Sequence, residues 1–80
     1  MGKALAMVEY KTVSTGMQAA DIMVKTAQVD IIEATTVCPG KYMVLISGDL
    51  SAVRASVDAA AVKFPDMLID KFVLGNPHES

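Results

Sequence analysis

Six stretches of regular hydrophobic spacing run along the chain, separated by short polar or turn-forming segments. Residues 3–10 carry a compact apolar run, Ala4-Leu5-Ala6-Met7-Val8, that ends at Glu9. Such continuity predicts a strand covered on both faces or set at a subunit contact. Residues 15–27 switch to helical spacing. Met17, Ala20, Met23, Val24 and Ala27 form the expected core stripe, with Gln18, Asp21, Lys25 and Gln28 opposite. Thr15 with Gln18 three positions on reads as a capping box, and Ser14 is a rival cap.

Residues 30–37 are rich in β-branched side chains and predict a second strand, and residues 41–47 a third. Between them Pro39 removes a ladder donor and Gly40 permits positive φ, so 38–41 read as a hairpin tip or a looser loop. Gly48-Asp49 then opens a second helix, with Asp49 as its cap. Leu50, Val53, Val57, Ala60, Ala61 and Phe64 line one side of it, Ser51, Arg54 and Asp58 the other, and Pro65 stops it. Residues 68–74 predict a fourth strand, and residues 75–80 a polar, frayed tail. The order βαββαβ predicts an α+β, ferredoxin-like fold: a four-stranded antiparallel sheet with both helices on one face. Residues 1–80 form a single domain, with no linker and no low-complexity segment.

Composition changes that picture in one respect. At 80 residues, 52% hydrophobic but only 5% aromatic, the chain has more apolar surface than so small a core hides alone. Association is the usual remedy, so a subunit of an oligomer is expected. A net charge of −2 without a basic cluster argues against nucleic acid. No run approaches the roughly 20 apolar residues of a membrane span. No export signal is expected at the N-terminus, and a single cysteine suits a reducing cytosol.

Catalytic constellations are missing from the sequence. The one histidine, His78, sits in the tail, the carboxylates are scattered, and the glycines spell neither a dinucleotide fingerprint nor a P-loop. The expectation is a non-enzyme. Among chemistry-bearing residues, the only cysteine, Cys38, stands out by its company, Cys38-Pro39-Gly40-Lys41. A thiol beside Pro-Gly in a turn differs from an ordinary buried cysteine, and a neighbouring cation such as Lys41 favours the thiolate. One cysteine cannot complete a metal site. Three or more copies meeting on a rotation axis can, since an iron–sulfur cluster takes several cysteinates.

The block Met17-Gln18-Ala19-Ala20-Asp21-Ile22-Met23-Val24-Lys25-Thr26-Ala27-Gln28-Val29 resembles the signature first helix of bacterial microcompartment shell proteins of the single BMC domain type. Ser47-Gly48-Asp49-Leu50-Ser51-Ala52-Val53 is similar to that family's entry into its second helix, and Gly75-Asn76-Pro77-His78 to its Pro-His ending, although the usual arginine is absent. The resemblance spans nearly the whole chain. It implies a flat cyclic homo-oligomer, a hexamer ahead of a trimer, tiling with neighbouring shell proteins around an enzyme-filled compartment in the bacterial cytoplasm. It puts the turn between strands two and three at a central pore lined by Cys38, Pro39, Gly40 and Lys41, and Lys25 at the oligomer edge.

The Cys-Pro-Gly-Lys loop is similar to that of iron–sulfur-binding shell proteins of propanediol-utilisation and glycyl-radical compartments. It implies Cys38 as ligand of an iron–sulfur cluster shared between subunits, for electron transfer across the shell. Six cysteines of a homohexamer could not all ligate one cubane symmetrically. The rival expectations are a metal-free pore passing small polar metabolites and, from another class, a stand-alone ferredoxin-like regulatory domain.

Overall fold

The computed structural model describes residues 4–37 and 40–75. Within them the elements are β1 (Ala4–Tyr10), α1 (Val13–Thr26), β2 (Asp30–Val37), β3 (Lys41–Gly48), α2 (Leu50–Lys63) and β4 (Leu68–Leu74). The four strands form one sheet in the order β2-β3-β1-β4, antiparallel at every pairing. Two split β-α-β units therefore interleave, each helix crossing over the strand that the other unit inserts. The predicted α+β architecture is the observed one.

Strand alternation sorts the sheet into two faces. Ala4, Ala6, Val8 and Tyr10 of β1 are fully or almost fully buried, and their β3 partners Ile46 and Val44 join them under the helices. Met23 and Ala19 of α1, and Val53, Val57 and Ala60 of α2, complete this core. Each fully buried Val, Ile or Met contributes about 1.5–3 kcal/mol relative to exposure. The other face holds Leu5, Met7, Met43 and Leu45, all half-buried, with Phe72 and Leu74 exposed. Of the two expectations for the apolar run of β1, cover on both faces or a place at a subunit contact, the chain's own described elements bury it on one side only, with Leu5 and Met7 half-buried on the other.

An irregularity in β2 fixes which residues share these faces. Ile31 pairs with Ile46, but Glu33 pairs with Leu45, so Ile32 is an extra residue. Beyond it Glu33, Thr35 and Val37 share the outer face with Leu45, Met43 and Lys41. A second irregularity lies between Glu9 and Tyr10 where β1 meets β4.

Three local expectations are corrected. The first helix starts at Val13, and its cap is Thr12, whose Oγ1 accepts from the Thr15 N–H at 3.2 Å. The Thr12 hydroxyl in turn donates to Thr15 Oγ1 at 2.8 Å, so the predicted Thr15–Gln18 box does not form. The core face of α1 is Thr15, Gly16, Ala19, Ala20 and Met23, whereas Met17 is 57% and Val24 39% exposed. The helix lies so close to β3 that small residues face it, and the stripe rotates accordingly. Asp49 does occupy the cap position of α2, but its side chain makes no capping hydrogen bond.

A buried hydroxyl that the hydrophobic pattern passes over ties the helices together. Ser56 of α2 donates to the Met23 carbonyl of α1 at 3.0 Å, fully buried. That bond satisfies a carbonyl near the end of α1, whose competing Ala27 N–H stands at 3.5 Å.

Candidate functional site

β2 and β3 pair down to Val37 opposite Lys41, leaving residues 38–40 to connect them. Gly40 has φ of +85°, the left-handed conformation that glycine adopts without steric cost. The expected positive φ at Gly40 and the antiparallel pairing of strands two and three are both observed. A side chain added at Gly40 would meet nothing within 4 Å among the described residues, so the requirement seen there is conformational. Cys38 and Pro39, on which the metal expectation rests, lie outside the described residues, as do residues 76–80 with His78.

The base of the turn is anchored from the opposite side. Tyr42, the residue after Lys41, lies against Gly16 of α1, so close that a Cβ on Gly16 would stand 2.4 Å from Tyr42 Cδ2. Tyr42 is also paired across the sheet with Tyr10. The Tyr10 ring meets Phe64 edge-on, centroids 6.2 Å apart at 88°. Its hydroxyl is buried with no hydrogen-bond partner among the described residues, and burial pushes its pKa up to about 12. Two tyrosines and a glycine thus fix the start of β3 against α1 and α2, which presents the turn on a rigid base. Sequence reading missed this anchor. Its one sequence signal is a glycine inside a helical pattern, where a packing reason is the usual explanation.

Lys41 is half-buried at the first position of β3. Lys25 lies in the last turn of α1, where a cation suits the helix dipole, and its ammonium pairs with Asp21 at 3.0 Å. Both partners are well exposed, and such a pair contributes a few tenths of a kcal/mol. Lys25 and Lys41 belong to different elements, α1 and β3.

At the other end of β3, an open groove of about 730 Å³ is lined by Val24, Gln28, Val29, Asp30, Asp49 and Ala52. It lies away from the turn, at the junction of the end of α1 and the start of α2. No group of three or more His, Cys, Asp or Glu able to hold a metal occurs among the described residues. A cluster would need thiolates from several copies of the chain. No helix of the described structure is long and apolar enough to cross a membrane.

Comparison with known proteins bears on the whole of this arrangement. The BMC domain profile matches residues 4–77. The bacterial microcompartment shell protein PduT of Citrobacter freundii is 36% identical over 80 residues, covering 100% of this chain and 44% of PduT. The carboxysome shell protein CsoS1 of Prochlorococcus marinus is 36% identical over 81 residues, covering 98% of this chain and 79% of CsoS1. The crystal structure of a microcompartment protein from Desulfitobacterium hafniense DCB superposes with a TM-score of 0.91 at 45% identity, over 95% of this chain and 42% of that one. The chain spans about half the length of PduT and of EutK from Salmonella typhimurium.

Proposed function

The chain belongs to the BMC domain family, and on that premise we propose that it is a structural, non-enzymatic subunit of a bacterial microcompartment shell. The observation that carries this reading is the match of residues 4–77 to the family, which includes every element of the sheet and both helices. Relatives named as shell proteins of microcompartments and carboxysomes support it, and they weigh against a stand-alone regulatory domain. In this reading the chain forms a cyclic homo-oligomer, hexameric ahead of trimeric. Oligomers then tile with neighbouring shell proteins through edges that include Lys25.

The β2–β3 turn lines the central pore, with Cys38 as ligand of an iron–sulfur cluster held between subunits. The donor set fits such a cluster only on an axis, because each chain supplies one thiolate. When bound, the cluster would supply one-electron transfer across the wall. The chain's own part is to hold Cys38 on a turn whose geometry Gly40 sets and whose base Tyr42 and Gly16 anchor. Lys41, beside the turn, favours the thiolate over the thiol.

Native mass spectrometry of protein purified without oxygen tests both parts, reporting subunit number and bound iron together. The expected result is a closed oligomer carrying iron and sulfide that Cys38→Ser removes. Iron bound equally by Cys38→Ser overturns the cluster reading, and a monomer at micromolar concentration overturns the shell reading. A second reading is favoured by the open space around Gly40 and the cation beside it: a metal-free pore that passes small anionic or polar metabolites. An iron-free oligomer whose permeation by anions drops on Lys41→Gln would establish that alternative.

A further inference from the structure

We propose that Ser56 and Gly48 are positioning residues for the tiling edge, holding at its two ends the short segment that carries Lys25. This rests on the shell reading above, which puts Lys25 at the contact between oligomers, and adds what sets its place.

The end of α1 is loosened within its own helix. The Met23 carbonyl is the regular partner of the Ala27 N–H, yet that bond is stretched to 3.5 Å. The neighbouring Ile22 carbonyl takes the Thr26 hydroxyl at 2.7 Å. Side-chain hydroxyls on successive carbonyls open the ladder and bend a helix. The helix stops there, with Ala27 already extended. The side toward the start of α2 gives no brace, because an open groove lies there, lined by Val24 and Gln28 and by Asp49 and Ala52.

Two contacts from other elements take over. Ser56, fully buried on α2, donates to the Met23 carbonyl at 3.0 Å. Among the described residues it is the one side-chain hydrogen bond that joins the two helices. At the far end the chain passes close to Gly48, where a Cβ would stand 3.1 Å from the Gln28 carbonyl oxygen and 3.3 Å from Val29 Cγ1. Ser56 thus fixes residue 23, Gly48 fixes residues 28 and 29, and Lys25 sits in the arc between. Two residues on from Met23 is about 200° round the helix, so holding Met23 inward turns Lys25 outward. Asp21, 3.0 Å from the ammonium, steers it along the helix. Both anchors are buried and act on the edge only through this segment. An exposed charge contact is weak when its side chains must be ordered on contact, and a backbone already fixed beneath Lys25 removes part of that cost.

The experiment compares the full chain with four variants, Lys25→Ala, Ser56→Ala, Gly48→Ala and Val57→Ala. Sedimentation counts the subunits of each oligomer. Pelleting with electron microscopy gives the protein concentration at which oligomers join into sheets. Ser56→Ala and Gly48→Ala are expected to keep the oligomer and raise that threshold about threefold or more, toward the low end of coupling between connected sites. Val57→Ala removes core packing from α2 without touching the segment. It is expected to lower the thermal midpoint at least as far as Ser56→Ala and leave the threshold at the parent's value. An anchor variant that folds and tiles like the parent overturns the two-anchor arrangement, and so does a threshold raised equally by Val57→Ala. Lys25→Ala is expected to raise the threshold most. If it tiles like the parent, the edge reading itself fails, a result distinct from failure of the anchors alone. Should one anchor variant fail to fold, the other decides, since it displaces the same segment from the opposite end.

Discussion

Replacing Gly16 with alanine puts a methyl group where the Tyr42 side chain already stands. The added Cβ would lie 2.4 Å from Tyr42 Cδ2, 2.7 Å from its Cβ and 2.8 Å from its Cγ. Carbon atoms in contact prefer about 3.5–4.0 Å, so α1 and β3 must separate by roughly 1 Å. A rotamer change cannot relieve the clash, because Tyr42 Cβ is attached to the strand backbone itself. Overpacking of this kind costs about 1–3 kcal/mol, and three contacts this short place it near the upper end. Alanine returns about 1 kcal/mol through its better helix propensity.

The net expectation is a loss of about 2 kcal/mol, or about 10 °C in midpoint for a domain of this size. Thermal unfolding followed by far-ultraviolet circular dichroism measures it, at one fixed protein concentration because association shifts the midpoint. The double-mutant cycle isolates the cause. With Tyr42→Gly in place, which removes the Cβ as well as the ring, Gly16→Ala is expected to stabilise by about 1 kcal/mol, a coupling of about 3 kcal/mol. A neutral Gly16→Ala in the parent refutes the packing argument. A penalty that survives Tyr42→Gly moves its origin to the backbone.

Tyr10→Phe removes a buried hydroxyl without a partner and is expected to leave stability unchanged or raise it by about 1 kcal/mol in chemical denaturation. The same hydroxyl predicts alkaline behaviour. Because its folded pKa of about 12 lies above the ordinary 10.0, Tyr10 withholds its proton in the folded state, and the associated stability is full below pH 10. It is lost as the pH rises through about 12, amounting to about 2–3 kcal/mol. Tyr10→Phe should remove that loss, and tyrosinate absorbance in the parent should show a late-titrating ring. Ser56→Ala should cost about 1 kcal/mol by removing the 3.0 Å bond to Met23, and an unchanged denaturation midpoint would contradict that. Gly40→Ala, forced into φ of +85°, should cost about 1–2 kcal/mol, with Gly40→Asn milder in the same measurement.

Much of the fold was legible because alternation and helical spacing report burial directly. β-branched content marked β2, Pro39-Gly40 marked its end, and the order of elements left one familiar arrangement. The misses share a cause. Hydrophobic patterning assigns Met17 and Val24 to the core because they are large and apolar, yet α1 approaches the sheet through Gly16 and Ala19. Close approach selects for smallness, which hydropathy does not measure. Thr15 and Ser56 are buried polar residues, unreadable from pattern because each is satisfied by a particular partner, Thr12 or Met23, that only the fold brings near. The Gly16–Tyr42 anchor leaves only the glycine within a helical pattern as a sign, because its members lie on elements far apart in sequence.

The extra residue in β2 works as a phase setting. Counting by twos from Ile31 would point Glu33, Thr35 and Val37 toward the helices; the insertion of Ile32 sends all three the other way. The orientation in which the strand delivers the chain to its turn is thus decided six residues upstream of Cys38, by a residue that takes no part in the turn. Deleting Ile32 would leave the turn sequence intact and keep its approach, because Glu33 would then follow Ile31 directly and still fall opposite Leu45. A β2–β3 segment exchanged between relatives must carry the bulge together with its extra residue, since Ile32 held in a regular ladder would bring the same four turn residues to the wrong side of the sheet.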